Sequence, residues 1–320
     1  MLLPFVCARI GRWTGWILAL CLAVGCAGRQ PARSADESPY FPLSSLQKGQ
    51  ILHLASGRLF TPAELVRYLA DFPVVYVGET HDSLDDHAVE LAILKGLVEA
   101  KPGGLALGLE MLQRPFQPAV DAFLRGDLDE EAFMEIWREN WGDTYPYYRE
   151  ILNFARTNAV PVRALNVGGE LRDAVRRLAG SAEGAGKDSG LPEMDFEDPY
   201  HKAYVQAILA AHPMGAGHFE AFYRVQVLWD EAMAETAAEY LGSPEGLGKQ
   251  MLILAGANHV RHGLGIPRRL FRRLPLPYAI VLPLPVEIPE QKRSRLMDVE
   301  IPPIPLPPAD FYWAVGYESL

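Results

Sequence analysis

The chain has 320 residues, a formal net charge of −10 and three cysteines, at positions 7, 21 and 26. An acidic chain is repelled by a phosphate backbone, so we expect no nucleic-acid partner. Beyond residue 26 the sequence contains no thiol. This excludes an intrachain disulfide, a cysteine-ligated zinc and a cysteine nucleophile from the body of the chain, and any metal there must be held by nitrogen and oxygen ligands.

The first 26 residues have the features of an export signal. Arg9 and Arg12 precede an apolar stretch, residues 16–24, that is too short to span a bilayer comfortably. Small residues then lead directly to Cys26, a pattern that resembles the lipobox of bacterial lipoproteins. We therefore expect a lipid on Cys26 and, because Ala27 rather than Asp follows it, a location at the bacterial outer membrane. Signal cleavage near Ala27 with an unmodified Cys26 is the alternative.

The rest of the sequence predicts a tether and one α/β domain. Residues 27–50 begin with a segment rich in Ser, Pro, Arg and Gln, which is typical of a flexible tether. In residues 51–320, short apolar runs alternate with segments of helical period. That alternation predicts a mostly parallel sheet with helices on both faces.

The predicted elements can be given in chain order. Strands are expected at 74–77, 105–109, 160–165, 251–255 and 278–282, with an edge strand at 311–315, and helices at 85–99, 118–124, 128–140, 148–158, 171–178, 200–211, 219–241 and 267–273. Two helical regions, at about 115–150 and 195–245, are predicted to form an insertion that caps the carboxyl-end edge of the sheet. Between helices, residues 179–199 are dominated by Gly, Ser, Asp, Glu and Pro and predict a loop or lid.

Two G-x-x-H motifs, residues 78–81 and 256–259, each follow a predicted buried strand. The carboxyl ends of parallel strands meet at one edge of a sheet, so we expect His81 and His259 to converge there with Glu79 and Glu110, which also end predicted strands. Two imidazoles with carboxylates suit zinc, manganese or iron. His87 is a further candidate. The alternative is that each histidine caps a helix, satisfies a buried carbonyl or lies on a helix surface.

Aromatic residues cluster in two segments, near residues 137–148 and 200–223. Such residues form ordinary core or cap packing, or they line a flat apolar pocket in which a phenolate ligates haem iron. The tyrosines concerned are Tyr145, Tyr147, Tyr148, Tyr204 and Tyr223. His218 lies in a glycine-rich segment that forms either a hinge or a site where backbone amides meet an anionic group.

Several motifs in order along the chain resemble the ChaN family of iron-regulated lipoproteins, within a haem-binding-uptake and Tiki-like superfamily that includes erythromycin esterases. They are Gly78-Glu79-Thr80-His81-Asp82 with His87, Gly108-Leu109-Glu110-Met111, Ala164-Leu165-Asn166, residues 226–234, and Gly256-Ala257-Asn258-His259 with Gly265-Ile266-Pro267. The resemblance implies an α/β core with a helical insertion, lipid attachment at Cys26, and haem binding in haem or iron acquisition. It also implies a haem iron held by a tyrosine with a histidine of a second subunit nearby, and hence a haem-bridged homodimer. The candidate haem-binding residues are His81, His87, Tyr145, Tyr147, Tyr148, Tyr204, His218 and Tyr223.

The same superfamily implies a competing function. Its Tiki-like members resemble metal-dependent peptidases with two G-x-x-H motifs and a glutamate, which here are His81, His259 and Glu110. A divalent zinc, manganese or iron ion on these residues would lower the pKa of a bound water, and Glu79 or Glu110 would act in catalysis on an amide or ester. We therefore expect a haem-binding lipoprotein, with a divalent-metal-dependent hydrolase as the alternative.

Overall fold

The computed structural model describes residues 41–177, 190–210, 219–293, 299 and 301–320. Its strands are β1 (Ile51–His53), β2 (Arg58–Phe60), β3 (Val74–Glu79), β4 (Leu105–Gln113), β5 (Val162–Asn166), β6 (Gln250–Gly256), β7 (Tyr278–Pro285) and β8 (Phe311–Val315). Its α-helices are α1 (Pro62–Leu69), α2 (Leu84–Ala100), α3 (Gln117–Arg125), α4 (Glu130–Trp141), α5 (Tyr145–Thr157), α6 (Gly169–Arg177), α7 (Pro199–Ala210), α8 (Phe219–Gly242), α9 (Ile266–Arg273) and α10 (Glu290–Arg293). The predicted export signal, lipidated Cys26, residues 27–40 of the predicted tether, residues 179–189 of the predicted loop or lid, and His218 lie outside the described residues.

The strands form one mixed sheet in the order β2-β1-β8-β7-β3-β6-β4-β5. The six strands from β8 to β5 are parallel, whereas β1 runs antiparallel to both of its neighbours. The α/β fold with a mostly parallel sheet is therefore confirmed. The sequence prediction did not include β1, β2 or α1, although Thr61 and Glu64 form a capping box around Pro62 at the start of α1, a signal that a sequence can show.

Helices cover both faces of the sheet because successive strand residues point to opposite sides. In β3, Val75 and Val77 pack in a core with residues of α2 and α5. Val74 and Tyr76 pack in a second core with residues of α8 and α9. Among the helices that the structure describes, none is long and apolar enough to cross a bilayer.

A crossover in the sheet creates the crevice where polar groups collect. The chain passes from β3 through α2 to β4, but these two strands are not adjacent in the sheet. Strand β6, which comes later in the chain, lies between them and pairs with both. Glu79, the last residue of β3, lies opposite Gly256, the last residue of β6. Ligands in open α/β sheets bind outside the carboxyl ends of strands at such a point. The first half of α8 also reaches this edge, since Gln226 and Asp230 contact His259.

Candidate functional site

Glu79 organises one half of the carboxyl-end site. Its side chain is fully buried, and Oε1 accepts hydrogen bonds from the Tyr148 hydroxyl at 2.7 Å and from His81 Nδ1 at 2.8 Å. The side chain of His81 remains 40% exposed. Burial lowers the pKa of His81, but the nearby Glu79 carboxylate outweighs it and raises the pKa to about 9. His81 is thus a cationic imidazole that faces solvent from a buried carboxylate.

His87 and Glu90 extend this half into the protein interior. They lie three residues apart on α2, so they share one helix face, and His87 Nδ1 is 2.7 Å from Glu90 Oε2. His87 Nε2 is 3.4 Å from Glu79 Oε2. Although burial opposes it, the charge of Glu90 raises the pKa of His87 to about 9, whereas burial raises the pKa of Glu90 to about 8. His87 therefore lies behind His81 rather than on the surface of α2.

Glu110 and His259 form the other half. The backbone amide of Gly256 donates to Glu110 Oε2 at 2.6 Å, and His259 Nε2 lies 3.3 Å from Glu110 Oε1. His259 Nδ1 is 2.6 Å from Asp230 Oδ1. Burial works against both charges, but their pairing raises the pKa of His259 to about 10 and lowers that of Glu110 to about 2. Both groups are therefore charged at neutral pH, away from solvent.

A buried ionic network supports His259 from behind. Asp230 Oδ2 faces His201 Nε2 at 3.2 Å and the Arg269 guanidinium at 3.9 Å, and all three side chains are buried. Arg269 also donates to the carbonyl of Leu264 at 2.7 Å. Sequence reasoning did not select these residues. Asp230 could have been selected from the sequence, because it is an acidic residue one turn after Gln226 on a face of α8 that is otherwise mostly apolar.

The two halves meet at Gly256. A Cβ atom on this glycine would lie 3.0 Å from His81 Nε2 and 3.5 Å from Glu110 Oε2, so the glycine lets the imidazole and the carboxylate approach the strand end. The structure thus brings together the four residues expected at this edge: Glu79, His81, Glu110 and His259. His81 is the exposed member of the four.

The tightest set of possible metal ligands differs from the expected one. Among the described residues, Glu79, His87 and Glu90 offer ligand atoms within 4.8 Å of one another. Glu79 Oε2 and Glu90 Oε1 are buried there without a hydrogen-bond partner. His81, Glu110 and His259 lie at the same edge, but among the described residues their ligand atoms do not all lie within that distance of one another.

The candidate tyrosines are scattered rather than gathered in one pocket. Three are buried with hydroxyls bonded to protein: Tyr145 donates to Glu130 at 3.1 Å, Tyr204 to Asn258 at 2.9 Å and Tyr223 to the Phe196 carbonyl at 3.5 Å. Burial raises the pKa of Tyr204 and Tyr223 to about 12, which disfavours a phenolate. Tyr148 is also buried, and its hydroxyl donates to Glu79 at 2.7 Å. Tyr147 is half-buried, and its hydroxyl accepts from the Leu320 amide at 3.0 Å.

Comparison with known families identifies the family to which the chain is related. A family model described as "Haem-binding uptake, Tiki superfamily, ChaN" matches residues 65–270, which is more than half of the sequence. The chain belongs to this family. No curated protein sequence matches the chain closely enough for comparison.

Solved structures agree with the family at the level of fold. The ChaN protein of Campylobacter jejuni, described with cofacially bound haem, has a TM-score of 0.63 and 15% identity over 83% of this chain and 98% of that chain. More distant are the type III effector HopBA1 (TM-score 0.45, 17% identity, 80% and 94% of the two chains) and erythromycin esterase EreC in an open conformation (0.43, 14%, 82% and 81%). This ChaN-family chain therefore has the fold of the Campylobacter protein.

Proposed function

We propose that the protein binds haem and serves in haem or iron acquisition. The observation that carries this proposal is the match of residues 65–270 to the haem-binding uptake family. The Campylobacter ChaN protein, whose fold this chain shares, binds haem cofacially. A haem-bridged homodimer is the corresponding arrangement for this chain.

The described residues include a cleft of a size that small-molecule ligands occupy. Its cavity volume is about 590 Å³, within the roughly 300–1,000 Å³ range of small-molecule sites. Tyr200, Phe271 and Leu306 in its wall are nearly half exposed, so they offer apolar surface to a flat ring. When bound, haem would supply an iron atom that a protein side chain can ligate, and two propionates that cationic side chains can pair with. Arg268 and Arg272 lie in the same wall.

Hemin titration tests haem binding. We expect a Soret band that rises to saturation as hemin is added to the purified protein. Iron-free protoporphyrin should bind more weakly, because it lacks the metal that a protein ligand coordinates. Absorbance that rises linearly with hemin, as it does in buffer alone, would contradict the proposal.

The proposed location of the protein in the cell rests on its sequence alone. We infer that a lipid on Cys26 anchors the protein to the bacterial outer membrane, since Cys26 follows an export signal and precedes Ala27. Mass spectrometry of the mature protein from membranes should show a diacylated N-terminal cysteine. An unmodified N-terminus near Ala27 would overturn this part alone.

A second candidate function is a divalent-metal-dependent hydrolase acting on a peptide or ester. It is favoured by His81, an imidazole that faces solvent while Glu79 holds its Nδ1, beside the Glu110 and His259 pair. Glu79 orients His81 by accepting from its Nδ1 at Oε1, and the Gly256 amide keeps Glu110 in place. A metal at this edge would supply an activated water, which Glu79 or Glu110 would assist as a general base.

Metal analysis tests the second candidate. If it holds, reconstituted protein retains one zinc, manganese or iron ion per chain. His81→Ala should then lose most of the ion, with an unchanged circular dichroism spectrum because His81 is partly exposed. His259→Ala should lose it as well. Wild-type protein that stays metal-free after reconstitution would rule the hydrolase out.

A further inference from the structure

Glu79, His87 and Glu90 form a buried set of side chains, none of which lines the cleft described above. Glu79 is the last residue of β3, and the other two lie three residues apart on α2. The side chains of Glu79 and Glu90 are 0% exposed and that of His87 is 4% exposed. Each residue offers one ligand atom within 4.8 Å of the other two. The set therefore brings one imidazole and two carboxylates together away from solvent.

Two carboxylate oxygens in this set lack a hydrogen-bond donor. Glu79 Oε2 and Glu90 Oε1 are buried, and neither accepts a hydrogen bond from a described residue. The second oxygen of each carboxylate is engaged, since Glu79 Oε1 accepts from Tyr148 and His81, and Glu90 Oε2 accepts from His87. A buried carboxylate oxygen without a donor is costly, and a cation against it offsets that cost. The two free oxygens are therefore available to a cation.

The spacing of these atoms suits coordination. Imidazole nitrogens and carboxylate oxygens lie about 2.0–2.2 Å from a divalent transition-metal ion, so two ligands of one ion are about 3–4 Å apart. His87 Nε2 and Glu79 Oε2 are 3.4 Å apart, which falls in that range. Because one ligand is an imidazole, the set suits manganese, iron or zinc better than calcium, which takes more ligands and only oxygen.

Neighbouring side chains orient the set and exclude water from it. Tyr148 donates to Glu79 Oε1 at 2.7 Å, and its ring centroid is 4.4 Å from that of His87. The Tyr147 ring lies 5.6 Å from His87 on α5. Hydrogen bonds that hold ligand side chains in place and an apolar shell both strengthen a metal site. His81, whose side chain is 40% exposed, connects Glu79 with solvent and gives an ion a route to the set.

We propose that Glu79, His87 and Glu90 bind a divalent transition-metal ion, with Glu79 Oε2, Glu90 Oε1 and one nitrogen of His87 as ligands. The ion replaces protons held by these groups, which pass to solvent. This site goes beyond haem binding and does not require it. It also differs from the hydrolase site expected from sequence, in which the ion lies on His81, Glu110 and His259.

Manganese binding to the metal-free protein tests the site. Free Mn²⁺ is counted from its electron paramagnetic resonance signal as the ion is added. We expect one tightly bound ion per chain in wild type and at least about tenfold weaker binding in Glu90→Gln, which lacks one ligand oxygen charge. The amide oxygen of glutamine can still accept from His87, so the fold should persist. Glu99→Gln, the same change at an exposed position of α2, should bind Mn²⁺ like wild type.

A further variant separates this site from the hydrolase site. Glu110 is bonded to Gly256 and His259 rather than to Glu79, His87 or Glu90, so Glu110→Gln should retain the ion. A spectrum of the wild type alone makes the same distinction and depends on the folding of no variant. Electron spin-echo modulation of bound Mn²⁺ should show coupling to the nitrogen of one imidazole.

Other outcomes would overturn the inference. These are Mn²⁺ binding by Glu90→Gln as tight as that of wild type, or a loss of affinity in Glu110→Gln as large as that in Glu90→Gln. Coupling to two imidazoles would place the ion on His81 and His259 instead. Wild-type protein without one tight Mn²⁺ site per chain would also contradict it. None of these results decides haem binding, which the hemin titration tests separately.

Discussion

Replacing Asp230 with alanine should lower the free energy of unfolding by about 3–5 kcal/mol, because the change breaks a buried ionic network. Asp230 is fully buried and faces His259 at 2.6 Å, His201 at 3.2 Å and Arg269 at 3.9 Å. Burial raises the pKa of Asp230, but the charge of His259 outweighs it and holds the pKa well below its usual range. Without this carboxylate, His259 and Arg269 lose a buried anionic partner in a medium that solvates charge poorly, and only Glu110 and Glu231 remain to pair with them.

Urea denaturation of Asp230→Ala and Glu239→Ala gives the comparison. Glu239 lies on the same helix α8, but its side chain is exposed, so its replacement should change stability by less than about 0.5 kcal/mol. Equal midpoints for the two variants would show that the network around His259 does not stabilise the fold. A lower free energy of unfolding in Asp230→Ala alone would support a stabilising role for this network.

Gly78→Ala should cost about 1–3 kcal/mol, because the added methyl group has no room in a packed core. A Cβ atom there would lie 2.5 Å from both Leu282 Cδ2 and Val260 Cγ2. Leu282 belongs to β7, which pairs with β3, so relief requires a shift of the strand that carries Glu79. The substitution should therefore also disturb the hydrogen bond between Glu79 and His81.

The matched control for Gly78→Ala is Gly242→Ala. Gly242 is exposed at the end of α8, and a Cβ atom there would meet no heavy atom within 4 Å. Alanine favours a helix over glycine, so this variant should be as stable as wild type or slightly more stable. If the two alanine variants unfold at the same denaturant concentration, a methyl group at position 78 does not clash with Leu282 and Val260.

Much of the fold was predictable because its signals are local. Each predicted strand from residue 74 onward is present with its ends moved by a few residues, since runs such as Val74–Val77 are apolar on both faces, as buried parallel strands require. Within the described residues the predicted helices are present as well, because their apolar residues recur with the helical period. β1 and β2 have three residues each, too few for a clear pattern, and they depend on pairing with β8.

The site was predictable only as far as strand ends determine it. His81 and His259 follow apolar strands directly, and the parallel sheet brings their strand ends together. Asp230, Glu90 and Arg269 could not be assigned this way, because helix packing from distant parts of the chain selects them as partners.

The geometry separates two kinds of chemistry in one domain. Around Glu79 and Glu110, charged groups are buried and paired, which suits proton transfer or a metal ion. In the wall of the cleft, the side chains of Tyr200, Phe271 and Leu306 are nearly half exposed, which suits a large flat ligand. A haem in that cleft leaves the paired carboxylates in place, so loss of haem binding and loss of a metal should be separable by substitution.

The most direct measurement of the central claim is the haem content of the protein after incubation with excess hemin and gel filtration. We expect about one haem per chain to migrate with the protein, since a coordinated and buried ring dissociates slowly. An unrelated acidic protein treated in the same way provides the background. Haem content no higher than that background would contradict the claim that this ChaN-family chain binds haem.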